Sequence, residues 1–357
     1  MGRPAKARID LAAIQHNYQL AKRISGSKAA AIIKANAYGH GAVRVAQALQ
    51  NEADAFGVAC IEEALELRES GITPQILLLE GVFTPDELVL ADRLNMAVAL
   101  HTPEQLQWLL AARLQNKLNV FLKLDTGMHR LGFSPELARE IYAQLKDCAH
   151  VGSVTLMTHF SRADEVNENF TAVQIDRFVA AVKGIEAQSS LANSAGLLAW
   201  PAAHGDWVRP GIMLYGADPL DQANQYSAQL RPAMSLESEL IAVRELSAGE
   251  SIGYGARFRC EGQTRVGVVA MGYADGYPRH AKDGTPVLVK GQSSRIIGRV
   301  SMDMLTVDLS DIPDAVVGDP VELWGKRIAA NDVAAMSDTI AYTLFTGVTR
   351  RVPLVYS

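Results

Sequence analysis

The chain has 357 residues, 48% of them hydrophobic and 20% charged, which excludes a disordered or fibrous protein and leaves apolar material for two domains or a barrel with an appended piece. With 34 Lys plus Arg against 39 Asp plus Glu the formal charge is -5, so no basic field draws nucleic acid. Cys60, Cys148 and Cys260 are too few and too scattered for a zinc cluster, a CxxC pair or a disulfide framework, and a cytoplasmic setting is expected.

The first residues, MGRPAKARIDLAAIQHNY, are basic without the apolar stretch of a signal peptide, and no apolar run approaches the length of a membrane span. Beyond them, short apolar runs alternate with amphipathic ones. Residues 29–34 (AAAIIK), 55–60 (AFGVAC), 75–79 (QILLL), 96–100 (MAVAL) and 118–124 (LNVFLKL) have the texture of strands buried on both faces. Residues 42–50, 61–70, 85–94 and 103–114 read as the helices between them, several opening on Pro or acidic residues that suit a helix N-terminus. The rhythm continues through a strand at 151–157, a helix around 170–188, a weak strand ending near Asn193 and a strand at 206–214. Eight such units in roughly 220 residues predict an α/β fold, an N-terminal (β/α)8 TIM-type barrel over residues 1–230. After residue 230 helical periodicity mostly disappears. Alternating β-branched runs at 264–270, 286–289, 294–300 and 304–309, punctuated by Gly and Asp, predict a mostly-β C-terminal domain over residues 231–357.

The phosphate loop GxxxxGK[ST], the zincin HExxH and a strand-borne GxGxxG are absent, and no metal site is expected. ANSAG at 192–196 imitates the GxSxG nucleophile elbow but lacks its first glycine, which leaves a hydrolase poorly supported. Lys34 closes an apolar strand and precedes a polar, Gly-containing loop, the place where a barrel carries its active site. A lysine there can have its pKa lowered and serve as a Schiff-base amine or proton carrier. Taken alone, such a lysine more often simply keeps its ammonium in water.

The segment AIIKANAYGHG around Lys34 resembles the pyridoxal-phosphate signature of the alanine racemase family. Further resemblances follow in order: KLDTGMHRLGF at 123–133, THF at 158–160, NSAG at 193–196, VRPGIMLYG at 208–216, IGYGARF at 252–258, GYADGYPR at 272–279, GRVSMDM at 298–304 and RRVP at 350–353. The resemblance implies a barrel followed by a β domain, a homodimer with shared sites, and interconversion of L- and D-alanine for peptidoglycan supply or alanine catabolism. It implies that Lys34 forms the internal aldimine with pyridoxal 5'-phosphate, that Tyr38 bonds the phosphate, and that Ser194, Gly211 and Ile212 complete the phosphate cradle. Arg209 takes the pyridine-nitrogen position, and a guanidinium, which can only donate, keeps that nitrogen unprotonated. His159 corresponds to the residue that buttresses the arginine.

The same resemblance makes Tyr254 the second base, supplied by the partner subunit opposite Lys34, so that one group removes the α-proton and the other returns one from the far face. Arg130 is implied in substrate carboxylate binding, Met302 of the partner in a backbone N–H contact, and Lys123 as a lysine carried as a carbamate that orients Arg130. Arg350 stands where many members place a phosphate-binding tyrosine, and His129 and Ser301 where a glycine and a cysteine are frequent. Fold-related amino-acid decarboxylases share the barrel, cofactor and lysine, but their chemistry is served by a protonated ring with an acidic partner, not by Arg209. A non-catalytic pyridoxal-phosphate carrier would need neither the β domain nor Tyr254.

Overall fold

In the computed structural model, which describes residues 2–357, eight parallel strands close a barrel in chain order. They are Lys28–Ile32, Ala55–Val58, Ile76–Leu78, Met96–Leu100, Leu118–Lys123, Val151–Met157, Gln188–Ser190 and Trp207–Val208. The last returns to the first, Trp207 opposite Lys28 and Val208 opposite Ala29. Helices cross between them and start where the sequence signals do. Pro103–Ala111, for example, opens on a proline after Thr102, whose hydroxyl accepts the Gln105 N–H at 3.3 Å. No described helix is long and apolar enough to cross a membrane.

Alternate residues of each strand point into the lumen, and they fill it. Leu77, Ala97, Ala99, Phe121 and Met157 form one buried cluster there, and Ala30, Ala55 and Trp207 a second. The Phe121 ring meets Trp207 edge-on at 6.1 Å, which joins the two clusters into one apolar plug in the lumen. One inward layer closer to the carboxyl ends, the side chains change character: Lys123 follows Phe121, His159 follows Met157, Arg209 follows Trp207, and Lys34 follows Ile32.

The first barrel strand stops at Ile32, and the chain then makes a left-handed turn. Ala35, Asn36, Ala37 and Tyr38 have φ of 51°, 53°, 52° and 51°, a conformation that costs an L-residue about 1–2 kcal/mol each. Short bonds hold it. The Ala37 N–H donates to the Ile33 carbonyl at 2.8 Å, and the Ala42 N–H to the Asn36 side chain at 2.8 Å. His40 is fully buried, stacked on Tyr215 at 4.4 Å, with Nδ1 within 3.1 Å of the Ala37 carbonyl and 3.0 Å of the Tyr38 carbonyl. Burial lowers its pKa to about 4, so the imidazole is neutral and Nδ1 carries the proton that binds those carbonyls.

The second domain is built on the long strand Met234–Leu246, which bends at an irregularity between Leu240 and Ala242 and there changes partners to Thr264–Val269. Its sheet also takes in Lys6–Ile9, from the opposite end of the chain, antiparallel to Met234–Leu246 and parallel to Leu354–Tyr356. Two sequence expectations are corrected. The strand expected at 206–214 pairs only over Trp207–Val208, because Pro210 has no N–H for a ladder. The run at 294–300 is a strand only to Arg295, ending before Gly298 with its φ of 79°. Two helices, Ala330–Ala335 and Ala341–Gly347, interrupt the β-rich region, and the second packs on the left-handed turn.

Gly39 is where that packing is closest. Its φ is 80°, and a Cβ would overlap the Phe345 carbonyl oxygen. Gly39→Ala is expected to cost about 2–5 kcal/mol from the left-handed backbone and overpacking together, read as a large drop in melting temperature.

Candidate active site

A cavity of about 600 Å³ opens at the carboxyl ends of the barrel strands, and it gathers the barrel residues singled out from sequence. Lys34, Tyr38, Lys123, Arg130, His159, Ser194, Arg209, Gly211 and Ile212 all line it. Tyr254 and Met302 do not. They stand on the surface of the second domain, 67% and 52% exposed, on the turns after Ser251–Ile252 and before Leu305–Asp308.

The floor is cationic. Arg209 is buried, and its four donated bonds all come from the terminal nitrogens: Nη1 to the Ser190 carbonyl at 2.8 Å and hydroxyl at 2.6 Å, Nη2 to the carbonyls of Thr158 at 2.7 Å and Leu191 at 3.1 Å. Nε is left free of these. Burial draws the guanidinium down to about 10, still cationic at neutral pH. His159 takes no hydrogen bond from Arg209; its imidazole is held neutral by burial and by the positive charges of Arg209 and Lys123. Lys123 is buried beside Arg209 and Arg130, and desolvation followed by those two charges lowers its pKa to about 8. Arg130 is exposed at the rim.

One wall is made of hydroxyls and amides. The Ser194 Oγ accepts from the Gly211 N–H at 2.8 Å and the Met213 N–H at 3.3 Å, which leaves its own proton to point elsewhere. No histidine bonds this serine, so it is not a nucleophile elbow. Ile212 opens a 3₁₀ turn and so has no acceptor within it for its N–H. A Cβ on Gly211 would come within 2.8 Å of the Tyr38 hydroxyl, so only glycine leaves this corner open. Burial pushes the Tyr38 phenol up to about 12, keeping it a donor.

Among the departures, Arg350 is exposed and does not line the cavity. Its neighbour Arg351 pairs with Asp303 at 2.7 Å and with the buried Asp275 at 3.4 Å, and Arg3 joins Asp275 at 2.6 Å. This network braces the turn that carries Met302, whose carbonyl accepts the Ala274 N–H at 3.0 Å. His129 has φ of 55°, a backbone region that favours glycine, and its ring pairs with Asp125 at 3.3 Å. Sequence reasoning missed Tyr342 and Thr346, which face the cavity from helix Ala341–Gly347, Tyr342 with its ring 5.7 Å from that of Tyr38. Their i, i+4 spacing is the signal that marks one helix face.

The fold and this chemistry define a barrel enzyme with an appended β domain, its site built for small anionic molecules. Residues 9–219 match the family model "Alanine racemase, N-terminal domain" and residues 233–356 match "Alanine racemase, C-terminal domain". The chain is 56% identical to an alanine racemase of Pseudomonas fluorescens, covering 99% of both chains, and 54% identical to a catabolic alanine racemase of Pseudomonas putida, again covering 99% of both. The structure superposes on the biosynthetic alanine racemase of Pseudomonas aeruginosa with a TM-score of 0.96 at 51% identity, covering 99% of each. The chain belongs to the alanine racemase family, which depends on pyridoxal phosphate. It interconverts L- and D-alanine, and decarboxylation is not favoured.

The depressed Lys123 has a thermodynamic signature. In the protein free of cofactor and with Lys123 unmodified, its burial as a cation destabilises the fold by on the order of 3 kcal/mol below pH 8, and this penalty fades as pH rises from about 8 towards 10.5 because the unfolded chain then holds the extra proton. Lys123→Met should therefore melt higher than the parent at pH 7, with the advantage shrinking across that window.

Proposed function

We propose that residues 1–230 form the pyridoxal 5'-phosphate-binding domain and that residues 231–357 carry Tyr254 and Met302 into the site of a partner in a cytoplasmic homodimer. The observation that supports this is the split itself. Lys34 and its cationic neighbours share one cavity, while Tyr254 and Met302 stand outside the cavity of their own chain. The cavity fits the cofactor: the free Nε of Arg209 suits a ring nitrogen, and Tyr38, Ser194 and the Ile212 N–H around the bare Gly211 corner suit a phosphate. Lys34 would hold it covalently through Nζ.

When bound, the cofactor supplies a conjugated sink for the electrons of the substrate's α C–H bond. The protein supplies the rest. Arg130 holds the substrate carboxylate, for which a planar guanidinium is suited, and the backbone N–H of Met302 of the partner subunit adds a second donor. Arg209, a permanent donor, would offer the ring nitrogen only an N–H and so leave it unprotonated, which would favour proton transfer over side reactions. Once the substrate's amino group has replaced it on the cofactor, the freed Lys34 Nζ takes the α-proton of D-alanine, and the hydroxyl of Tyr254 of the partner subunit delivers one to the opposite face. Lys34 then stands protonated and Tyr254 ionised, the state required for the reverse reaction, so neither direction needs an outside proton. Lys123, a neutral amine above about pH 8, takes up carbon dioxide as a carbamate with release of a proton, and the resulting anion orients Arg130.

Lys34→Ala should abolish turnover, and borohydride reduction of the parent should fix the cofactor on Lys34; a tag on another lysine overturns the assignment. Tyr254→Phe keeps the ring and its packing, so cofactor binding should survive while α-deuterium exchange from L-alanine collapses and that from D-alanine persists. Equal, mild losses from both enantiomers would refute this division.

Sharing of sites is tested by mixing the two inactive homodimers. A heterodimer of Lys34→Ala with Tyr254→Phe has one site with both lesions and one with neither, so subunit exchange should restore up to about half the parent activity. No recovery after verified exchange means that each domain serves its own chain.

A further inference from the structure

Glu63 is the third residue of helix Ile61–Glu69, where an acidic side chain ordinarily folds back onto the first amides of its own helix. One oxygen stays local: Oε2 accepts the Ala59 N–H at 2.8 Å. The other leaves the helix. Oε1 accepts the Ala35 N–H at 2.7 Å, tying the loop after the first barrel strand to the loop after the second. Ala35 follows Lys34 directly and is the first of the four left-handed residues. The bond therefore falls on the peptide that joins Lys34 to the turn.

We propose that Glu63 is a positioning residue for the Lys34 amine. The turn is populated only while its bonds outweigh its steric cost, and a released Ala35 would relax toward the ordinary right-handed or extended regions. That relaxation rotates the backbone beside Lys34 and displaces Nζ. The other clamps act further along. Asn36 binds the Ala42 N–H and His40 binds the Ala37 and Tyr38 carbonyls, so they secure Tyr38 and the phosphate end. Among the described residues, Glu63 supplies the one side-chain hydrogen bond to the Lys34–Ala35 peptide. The inference rests on Lys34 holding the cofactor and serving as the D-alanine base.

The competing role is that of a plain helix cap, and two variants separate the two. Glu63→Asp keeps a carboxylate at the helix N-terminus but is one methylene too short to span both amides, whereas Glu63→Ala removes both bonds. Three quantities are measured on the holoenzyme: the pH midpoint of the visible absorbance of the Lys34-bound cofactor, α-deuterium exchange from each alanine enantiomer, and melting temperature. Both variants should move the midpoint and lower exchange from D-alanine by about tenfold to hundredfold, the scale of an ångström misplacement of a catalytic group. Exchange from L-alanine should fall much less, and Glu63→Asp should melt close to the parent. An unmoved midpoint in both variants overturns the proposal, as does an equal loss from both enantiomers that follows the melting temperature. If Tyr254→Phe shows no asymmetry in the same assay, the assignment of the bases fails instead, and the midpoint alone decides the role of Glu63.

Discussion

Side chains of a barrel strand alternate between the lumen and the surrounding helices, so a residue two positions past an inward apolar one enters the lumen one layer higher. Phe121 and Lys123, Met157 and His159, and Trp207 and Arg209 are three such pairs, and Ile32 with Lys34 continues the pattern past the strand end. The lower members close the barrel as a hydrophobic plug. The upper members stand on that plug, out of water on one side and open to the cavity on the other. The perturbed titration of the site follows from this placement. With no water beneath, each cation feels its neighbours through a poorly screening medium, which is why Lys123 falls to about 8 and His159 stays neutral. A floor so charged is costly until anions arrive, and a phosphate and a carboxylate are what the family's chemistry brings.

The left-handed turn solves a second geometric problem. Lys34 and Tyr38, four residues apart, both line the cavity from the same loop, and an extended segment would hold them about 13 Å apart. The turn accepts steric cost to place Lys34 and Tyr38 on one side, and the surrounding structure maintains it with Glu63, Asn36, His40 and the close contact of Gly39 with the second domain. The second domain is thus part of the barrel's own loop as well as the bearer of Tyr254.

The barrel was legible because its strands are apolar on both faces and its helices carry ordinary start signals. The lysine at the first strand end could be found for the same reason, and the long match around it supplied its meaning. The left-handed turn was hidden, since three alanine or asparagine residues and a tyrosine give no sign of positive φ where glycines would have. Glu63 was hidden as well: within its own helix it reads as an unremarkable first-turn acid, and its second bond reaches 28 positions back along the chain. The strand Lys6–Ile9 is too short and too basic to announce itself, and its partners lie more than two hundred residues away. The eighth strand, expected at 206–214, is shorter than its apolar content suggests because that content continues past Pro210 into a 3₁₀ turn.

That first strand has a consequence for how the molecule comes into being. Lys6–Ile9 lies between Met234–Leu246 and Leu354–Tyr356, and the Ala7 N–H donates to the Pro353 carbonyl at 3.0 Å. Lys6–Ile9 is synthesised more than two hundred residues ahead of both partners and must wait for them before its sheet closes, so the barrel can assemble while the second domain is still incomplete.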